Sequence, residues 1–189
     1  MTKIKNQKRV KLEKEIKIRN VVTTADLGQK VNIERLNNFS WAIYDQVSYG
    51  GICGYVKPPE MHGKVTIFST GKMISVGSSS IEESIKNINI TKFYLIQHGF
   101  IQDTKLIPNV RNIIATTDLS TKLNLKKLSK NLENSIYEPE LFPALRYRVK
   151  KGLTVLIFSS GKIVITGGKS IEELNILYLH LKKSLQKDI

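Results

Sequence analysis

The sequence predicts an α/β (α+β) fold made of two tandem copies of one unit, related by a pseudo-twofold axis. Two stretches of the 189-residue chain, 19–36 and 111–128, are identical at 8 of 18 positions. Strand-like alternation and helix-start signals then recur in the same order in both copies. The repeat period of roughly 90 residues is too long for a short solenoid repeat.

The first copy shows the order of elements within the unit. Residues 17–27 alternate as a strand, and a short helix is predicted from Asn32 to about Trp41. Strands are then predicted over 42–56 and over 64–76, and the second of these segments turns at Gly71. Each copy therefore begins with a strand, which is followed by a short helix and then by further strands.

A long helix closes each copy. Ser80, followed three residues later by Glu83, forms a capping-box pattern that predicts a helix through about Leu95. The same pattern begins at Ser170 in the second copy. The glutamate pairs of these segments could also form a catalytic dyad, but the capping interpretation is favoured because it explains their position at the helix start.

The strands of each copy are apolar on both faces, which is unusual for a half-covered sheet. Two helices per copy are too few to cover both faces, so one face is predicted to be a ligand-binding surface. In the first copy the two faces carry, respectively, Thr66, Phe68, Ile74 and Val76, and Val65, Ile67 and Met73.

The charge of the chain favours a polyanionic partner. The formal net charge is +14, with +4 over residues 1–15, +3 over 16–105 and +7 over 106–189. A basic protein of this kind binds nucleic acid more often than any other polyanion. The single cysteine excludes a disulfide framework, and no signal peptide or 18-residue apolar run is present, so an intracellular, non-membrane protein is expected.

Several motifs resemble the TATA-binding protein family over about residues 16–185, in the family's order. The segment 137–148 reads YEPELFPALRYR, 156–162 reads LIFSSGK and 166–169 reads TGGK, while RNVV at 19–22 and RNII at 111–114 resemble the first strand of each repeat. The resemblance implies a saddle-shaped, ten-stranded antiparallel sheet with four helices on its convex face. It also implies a basic arm over 1–15, repeat one over 16–105 and repeat two over 106–189.

The resemblance further implies a minor-groove DNA site, with no cofactor and no metal. Phe68, Phe142 and Phe158 match the aromatic wedges, with Pro143 beside them, and Tyr49 stands at the fourth wedge position. Asn20 and Asn112 match the central amide donors. The apolar floor is matched by Val22, Thr66, Ile74, Val76, Ile114, Leu156, Val164 and Thr166, and the phosphate contacts by Lys72, Arg148, Lys162 and Lys169.

The first copy departs from the family pattern. Tyr55 and Ser79 stand where basic residues are expected, and the loop over 44–51 lacks the expected proline and basic residue. A weaker DNA contact is therefore expected under the first copy than under the second. Phosphate contacts from the arm 1–15 could compensate, and a disordered tail is the other interpretation of that segment.

The resemblance implies that Glu138, Glu140 and Leu141 bind transcription factor B, which would bring RNA polymerase. The favoured function is a general transcription initiation factor that binds and bends TATA-box promoter DNA. The alternative is a divergent paralogue that binds DNA weakly and acts mainly as a protein scaffold.

Three further expectations concern enzyme activity, oligomeric state and location. An enzyme is disfavoured, because the three histidines have no metal-ligand spacing and no nucleophile motif is present. The free protein could form a homodimer through its apolar face. The location is expected to be the archaeal cytoplasm or nucleoid, or the nucleus if the source is eukaryotic.

Overall fold

The structure is a computed structural model that describes residues 16–185, leaving aside the side chains of Ser48 and Tyr49. The predicted basic arm over 1–15 lies outside the described residues. The chain divides into two compact units. The first unit comprises Asn20–Arg111, and the second runs from Asn112 onward and includes the described residues before Asn20. The predicted repeat boundary between 105 and 106 remains a proposal.

The first half of the chain follows the predicted order of elements, with short additions. Its elements are strand β1 (Lys17–Asp26), a 3₁₀ helix (Ile33–Asn38), β2 (Ala42–Ile43), helix α1 (Gln46–Tyr49), β3 (Cys53–Val56), β4 (Lys64–Phe68), β5 (Lys72–Ser78) and α2 (Ile81–Gln97). The predicted turn is confirmed, because Gly71 has a φ of 90° and its N–H donates to the Phe68 carbonyl.

The second half repeats this order. Its elements are β6 (Asn109–Asp118), α3 (Leu125–Asn131), β7 (Ser135–Ile136), β8 (Ala144–Lys150), β9 (Leu153–Phe158), β10 (Lys162–Gly168) and α4 (Ile171–Leu185). The strands are antiparallel, in the order β2-β3-β4-β5-β1 for the first repeat and β6-β10-β9-β8-β7 for the second. The predicted antiparallel sheet of ten strands is confirmed.

One stretch differs from its prediction. Residues 42–56 do not form one continuous strand, because α1 interrupts them. The Asp45 carboxylate accepts a hydrogen bond from the Val47 N–H at 2.9 Å and caps this helix, and Gly50, with a φ of 56°, ends it. Of the four predicted helices, the first is a 3₁₀ helix, and α1 is an additional helical turn.

Alternation along the strands separates a buried face from a half-exposed face in each unit. Side chains on the buried face pack against the long helices and form the core. In the first unit this core includes Val65, Ile67, Met73, Ile88 and Leu95, and in the second it includes Val155, Ile157, Ile163, Leu174 and Leu181. Helices cover this face, so the opposite face of each strand set is the one left open to a ligand.

Candidate nucleic-acid interface

The strand register aligns one row of side chains across the open face of each repeat. Directly paired residues point to the same side of a sheet. In the first repeat the pairs Thr24–Ile74, Ile74–Thr66 and Thr66–Tyr55 form a continuous row. In the second repeat the corresponding row is Thr116, Val164, Leu156 and Arg146. The two rows match in position. Both begin with a threonine, but the first ends with Tyr55 and the second with Arg146.

The residues predicted as an apolar floor all lie on these open faces. Each is half-buried, whereas its sequence neighbours are buried, apart from Gly77 after Val76 and Gly167 after Thr166. These half-buried residues are Val22, Thr66, Ile74, Val76, Ile114, Leu156, Val164 and Thr166. They give a largely apolar surface that the structure keeps accessible.

The two asparagines predicted as central donors are each oriented by a backbone hydrogen bond. The Gly77 N–H donates to Asn20 Oδ1 at 2.7 Å, and the Gly167 N–H donates to Asn112 Oδ1 at 2.8 Å. A backbone N–H can only donate, so its partner must be the oxygen end of the amide. The NH₂ end of each asparagine is therefore the end left to donate elsewhere.

The glycine that orients Asn112 sits at an irregularity in the strand pairing. The register of β10 against β6 shifts between Thr166 and Gly168, which leaves Gly167 unpaired at a bulge. Gly167 has a φ of 97°, and a Cβ there would lie 1.6 Å from the Gly152 carbonyl oxygen. Only glycine fits this site, so the bulge and the orientation of Asn112 depend on it.

The predicted wedge phenylalanines of the second repeat form a pair. The ring centroids of Phe142 and Phe158 are 6.4 Å apart, and Phe142 is 37% exposed. Pro143, between Phe142 and β8, is also exposed. In the first repeat Phe68 occupies the position of Phe158, half-buried and paired with Cys53.

The four predicted phosphate contacts are exposed: Lys72, Arg148, Lys162 and Lys169. Lys72 and Lys162 begin β5 and β10, where the register pairs them with Asp26 and Asp118. The Lys169 N–H donates to Glu173 Oε2 at 2.8 Å, which anchors the backbone just before α4. These four side chains supply positive charge beside the apolar floors.

The residues predicted to bind a protein form an exposed turn. The backbone N–H groups of Leu141 and Phe142 both donate to the Glu138 carbonyl, at 3.0 and 2.9 Å. Glu138 and Glu140 are exposed, and the Leu141 side chain is 79% exposed. The turn thus presents two carboxylates and one large apolar side chain to solvent.

Comparison with known proteins identifies the family. The family model described as transcription factor TFIID, or TATA-binding protein, matches residues 15–96 and again 107–187. The chain belongs to this family. The two matches also confirm the tandem repeat, because each covers one copy of the unit.

Individual relatives agree with this assignment. A TATA-box-binding protein of Cenarchaeum symbiosum is 39% identical over 155 residues, covering 82% of this chain and 85% of the relative. One of Methanothrix thermoacetophila is 39% identical over 168 residues, covering 86% and 90%. A solved structure of Methanococcus jannaschii TBP matches with a TM-score of 0.80 at 30% identity, covering 92% of this chain and 99% of that one.

Tyr55, one of the departures from the TATA-binding protein pattern, has a basic neighbour that sequence reasoning missed. The Lys64 ammonium lies 3.8 Å from the centroid of the Tyr55 ring. In the second repeat the register places Arg146 at the position of Tyr55 and Thr154 at the position of Lys64. The positive charge is therefore present in both repeats, but on neighbouring strands. The cross-strand register, which sequence alone does not give, was needed to find it.

Sequence reasoning also missed a reciprocal pair of arginine contacts. Arg19 Nε donates to Thr116 Oγ1 at 2.9 Å, and Arg111 Nε donates to Thr24 Oγ1 at 3.1 Å. Both threonines begin the rows described above. The signal was available, because both copies place an arginine five residues before a threonine.

The described residues contain neither a metal-binding cluster nor a membrane-spanning helix. Between residues 16 and 185, no group of three or more His, Cys, Asp or Glu side chains is arranged to hold a metal ion. No helix in that range combines the length and apolar character needed to cross a membrane.

Proposed function

We propose that this chain is a general transcription initiation factor that binds A·T-rich TATA-box DNA in the minor groove, bends it and recruits transcription factor B. The proposal follows from family membership and from relatives named TATA-box-binding proteins. The observation that carries it is the fixed orientation of Asn20 and Asn112 beside a largely apolar floor.

The asparagines account for selection of A·T pairs. In the minor groove an A·T pair presents only acceptors, adenine N3 and thymine O2, whereas a G·C pair adds the guanine N2 amine. The NH₂ groups of Asn20 and Asn112 complement the acceptors. A guanine amine facing Val22 or Ile114 would lose its hydrogen bond to water, at a cost of about 1–3 kcal/mol.

The aromatic side chains account for bending. A ring inserted between base steps replaces lost stacking and kinks the duplex toward the major groove. We assign the Phe142 and Phe158 rings, which lie close together at one end of β9, to the wedge of the second repeat. We assign Phe68, with Tyr49, to the wedge of the first repeat.

Protein recruitment is assigned to the turn at Glu138, Glu140 and Leu141. Carboxylates repel DNA phosphates, so an exposed acidic turn suits a protein partner with complementary charge. The partner we propose is transcription factor B, and RNA polymerase would follow through it. Binding energy alone drives these steps, so the function requires neither a catalytic group nor a cofactor.

The test is binding of a short duplex that contains one TATA element and carries a fluorophore at each end, beside a G·C-substituted control. Selective binding of the A·T duplex, with a large change in energy transfer, is the expected result. Binding that ignores sequence, leaves energy transfer unchanged and disappears at high salt would mean that only charge acts. Transcription factor B binding without selective DNA binding would instead support the scaffold function.

A further inference from the structure

The backbone that orients Asn20 is tied to the long helix of the first repeat. The pairing of β5 with β1 is interrupted around Gly77, whose N–H donates to Asn20 Oδ1 at 2.7 Å. Ser78, the next residue, is buried. Asn87 of α2, itself only 2% exposed, donates through Nδ2 to Ser78 Oγ at 3.1 Å. The residue that follows the bulge is thus held from the core side.

The same amide nitrogen also holds the segment 57–63, which joins β3 to β4. Asn87 Nδ2 donates to the His62 carbonyl oxygen at 2.5 Å. An amide nitrogen carries two hydrogens, so it can serve both acceptors. Gly63 comes next and lies against the bulge, because a Cβ on Gly63 would be 3.2 Å from Gly77 Cα. We call Asn87 and its two acceptors, Ser78 Oγ and the His62 carbonyl, the amide clamp.

The second repeat supports its bulge in another way. Strands β8 and β9 are joined by residues 151–152 alone. This tight turn lies directly against the bulge, since a Cβ on Gly167 would be 1.6 Å from the Gly152 carbonyl oxygen. The longer segment of the first repeat has more freedom to move away from its bulge than a two-residue turn has.

The residues that would form a clamp are missing from the second repeat. Asn87 and Leu177 each lie seven residues after the serine that begins the capping box, and both are buried. Ser78 corresponds in the same way to Gly168. Leu177 has no donor and Gly168 has no side-chain acceptor. The amide clamp is therefore a feature of the first repeat.

We propose that Asn87 is a positioning residue for the first half of the DNA site, an inference that rests on the proposed function. Asn87 is buried and acts through the bulge at Gly77, which fixes the oxygen end of the Asn20 amide. The NH₂ end then faces the acceptors of an A·T pair. Without the clamp, Asn20 can also turn its oxygen toward those acceptors, which repel it, and selection of A·T pairs weakens.

Asn87→Leu tests the clamp in the free protein. It removes both hydrogen bonds and gives α2 the residue that α4 carries at this position. In a proton–nitrogen correlation spectrum we expect the Gly77 amide signal to move upfield, because its bond to Asn20 weakens. The Gly167 signal should stay in place. Asn87→Ala removes the same bonds with less bulk, and an unmoved Gly77 signal in either folded variant would overturn the proposal.

Two variants of α2 serve as controls. Asn89→Leu makes the same chemical change at an exposed position of the helix. Tyr94→Phe removes another tether of the segment 57–63, the bond from the Tyr94 hydroxyl to Glu60 Oε1 at 2.9 Å. Both should leave the Gly77 signal in place. An equal shift in Tyr94→Phe would show that any loosening of the segment has this effect, against a specific role for Asn87.

A double-mutant cycle tests the effect on DNA. The quantity is the ratio of affinities for the TATA duplex and its G·C-substituted control. Asn87→Leu should lower this ratio about fivefold, the lower end of the range for a base contact. It should have no further effect in an Asn20→Ala background and its full effect in an Asn112→Ala background. Equal effects in both backgrounds would reduce Asn87 to a purely structural role and overturn the proposal.

Failure of this proposal and failure of the proposed function give different results. A·T-selective binding with an unmoved Gly77 signal in the Asn87 variants would overturn the clamp and keep the function. Wild-type binding that ignores A·T content would overturn the function and, with it, the role of Asn87 in DNA binding.

Discussion

At the scale of the single residue, one backbone hydrogen bond to each of Asn20 and Asn112 decides which end of the side-chain amide is left to donate. The resemblance to the family identified both residues, and their symmetric placement in the repeat supported that interpretation. It could not give their orientation, since that depends on bulges that bring Gly77 and Gly167 against the asparagine oxygens. Such long-range pairs are set by strand register.

The Phe158 ring is expected to contribute to DNA binding and not to folding, because it is half-buried on the open face. Phe158→Ala should cost about 1–3 kcal/mol of binding free energy, the range for an aromatic–base contact, and should reduce bending. Energy transfer on the labelled TATA duplex and thermal unfolding measure the two effects. Phe93→Ala, at a 60% exposed position on α2, is the control and should change neither. An equal loss of stability and binding would show that Phe158 is a core residue.

Lys64 is expected to supply the phosphate contact that Tyr55 cannot. Lys64→Thr should weaken TATA binding and lower the salt slope, the slope of log K against log salt, by about 0.9, because one cation is lost. Adding Tyr55→Arg to that variant recreates the arrangement of Arg146 and Thr154 and should restore both quantities. Tyr55→Phe keeps the ring beneath the ammonium and should leave the slope unchanged. An unaltered slope in Lys64→Thr would contradict this role.

At the scale of the element, the long helices were predictable because their start signals are local. Ser80 Oγ accepts from the Glu83 N–H at 3.0 Å, as the capping box predicts. The Glu83 carboxylate, however, accepts from the Ser79 N–H at 2.6 Å, one residue earlier than the motif places it. The second repeat shows the same displacement, with Glu173 bonded to the Lys169 N–H.

The stretch between β2 and β3 was not predictable from periodicity. Its helix, α1, is a single turn of four residues, too short to show a 3.6-residue period. Asp45 and Gly50 were the available signals, as an N-cap and a left-handed C-cap. Alternating apolar residues on both sides favoured a continuous strand instead.

The capping carboxylates predict a pH dependence of stability. The Ser79 N–H lowers the pKa of Glu83, and the Lys150 ammonium, followed by the Lys169 N–H, lowers the pKa of Glu173, below the ordinary value of 4.5. The folded chain therefore favours the ionised forms. Their stabilisation is complete above about pH 4.5 and disappears as the pH falls through the folded-state pKa values.

Glu83→Gln should lower the free energy of unfolding at neutral pH by about 0.3–1 kcal/mol, the range for a negative charge at a helix N-terminus. The difference from wild type should shrink as the pH falls below 4.5, and thermal unfolding at several pH values measures it. Glu82→Gln, one residue earlier in the same first turn, is the control and keeps the Glu83 bonds. A difference that stays constant with pH would contradict the assignment.

At the scale of the whole molecule, duplication made most of the fold predictable. Each copy supports the interpretation of the other, so the order of strands and helices could be inferred twice. The charge of +14 and the acidic turn then predict separate surfaces for DNA and for protein. What duplication could not reveal is where the copies diverge in space, as at Lys64 and Tyr55.

Glu138→Arg tests that separation of surfaces. Because Glu138 lies on the exposed turn, the substitution should leave binary TATA binding nearly unchanged and abolish recruitment of transcription factor B. Gel-shift assays with and without transcription factor B measure both steps. Glu133→Arg makes the same charge change at another exposed position of the second repeat and should leave recruitment intact. Recruitment that survives Glu138→Arg would show that the partner binds elsewhere.

The different position of one positive charge in the two repeats, Lys64 in the first and Arg146 in the second, has a consequence for how a promoter is read. A palindromic A·T duplex offers two identical half-sites, so base contacts alone give both directions of binding the same free energy. The direction would then be decided by the protein, through the flanking base pairs whose backbone best fits each of these two cations. A difference of about 1.4 kcal/mol between the two directions is enough for a tenfold preference.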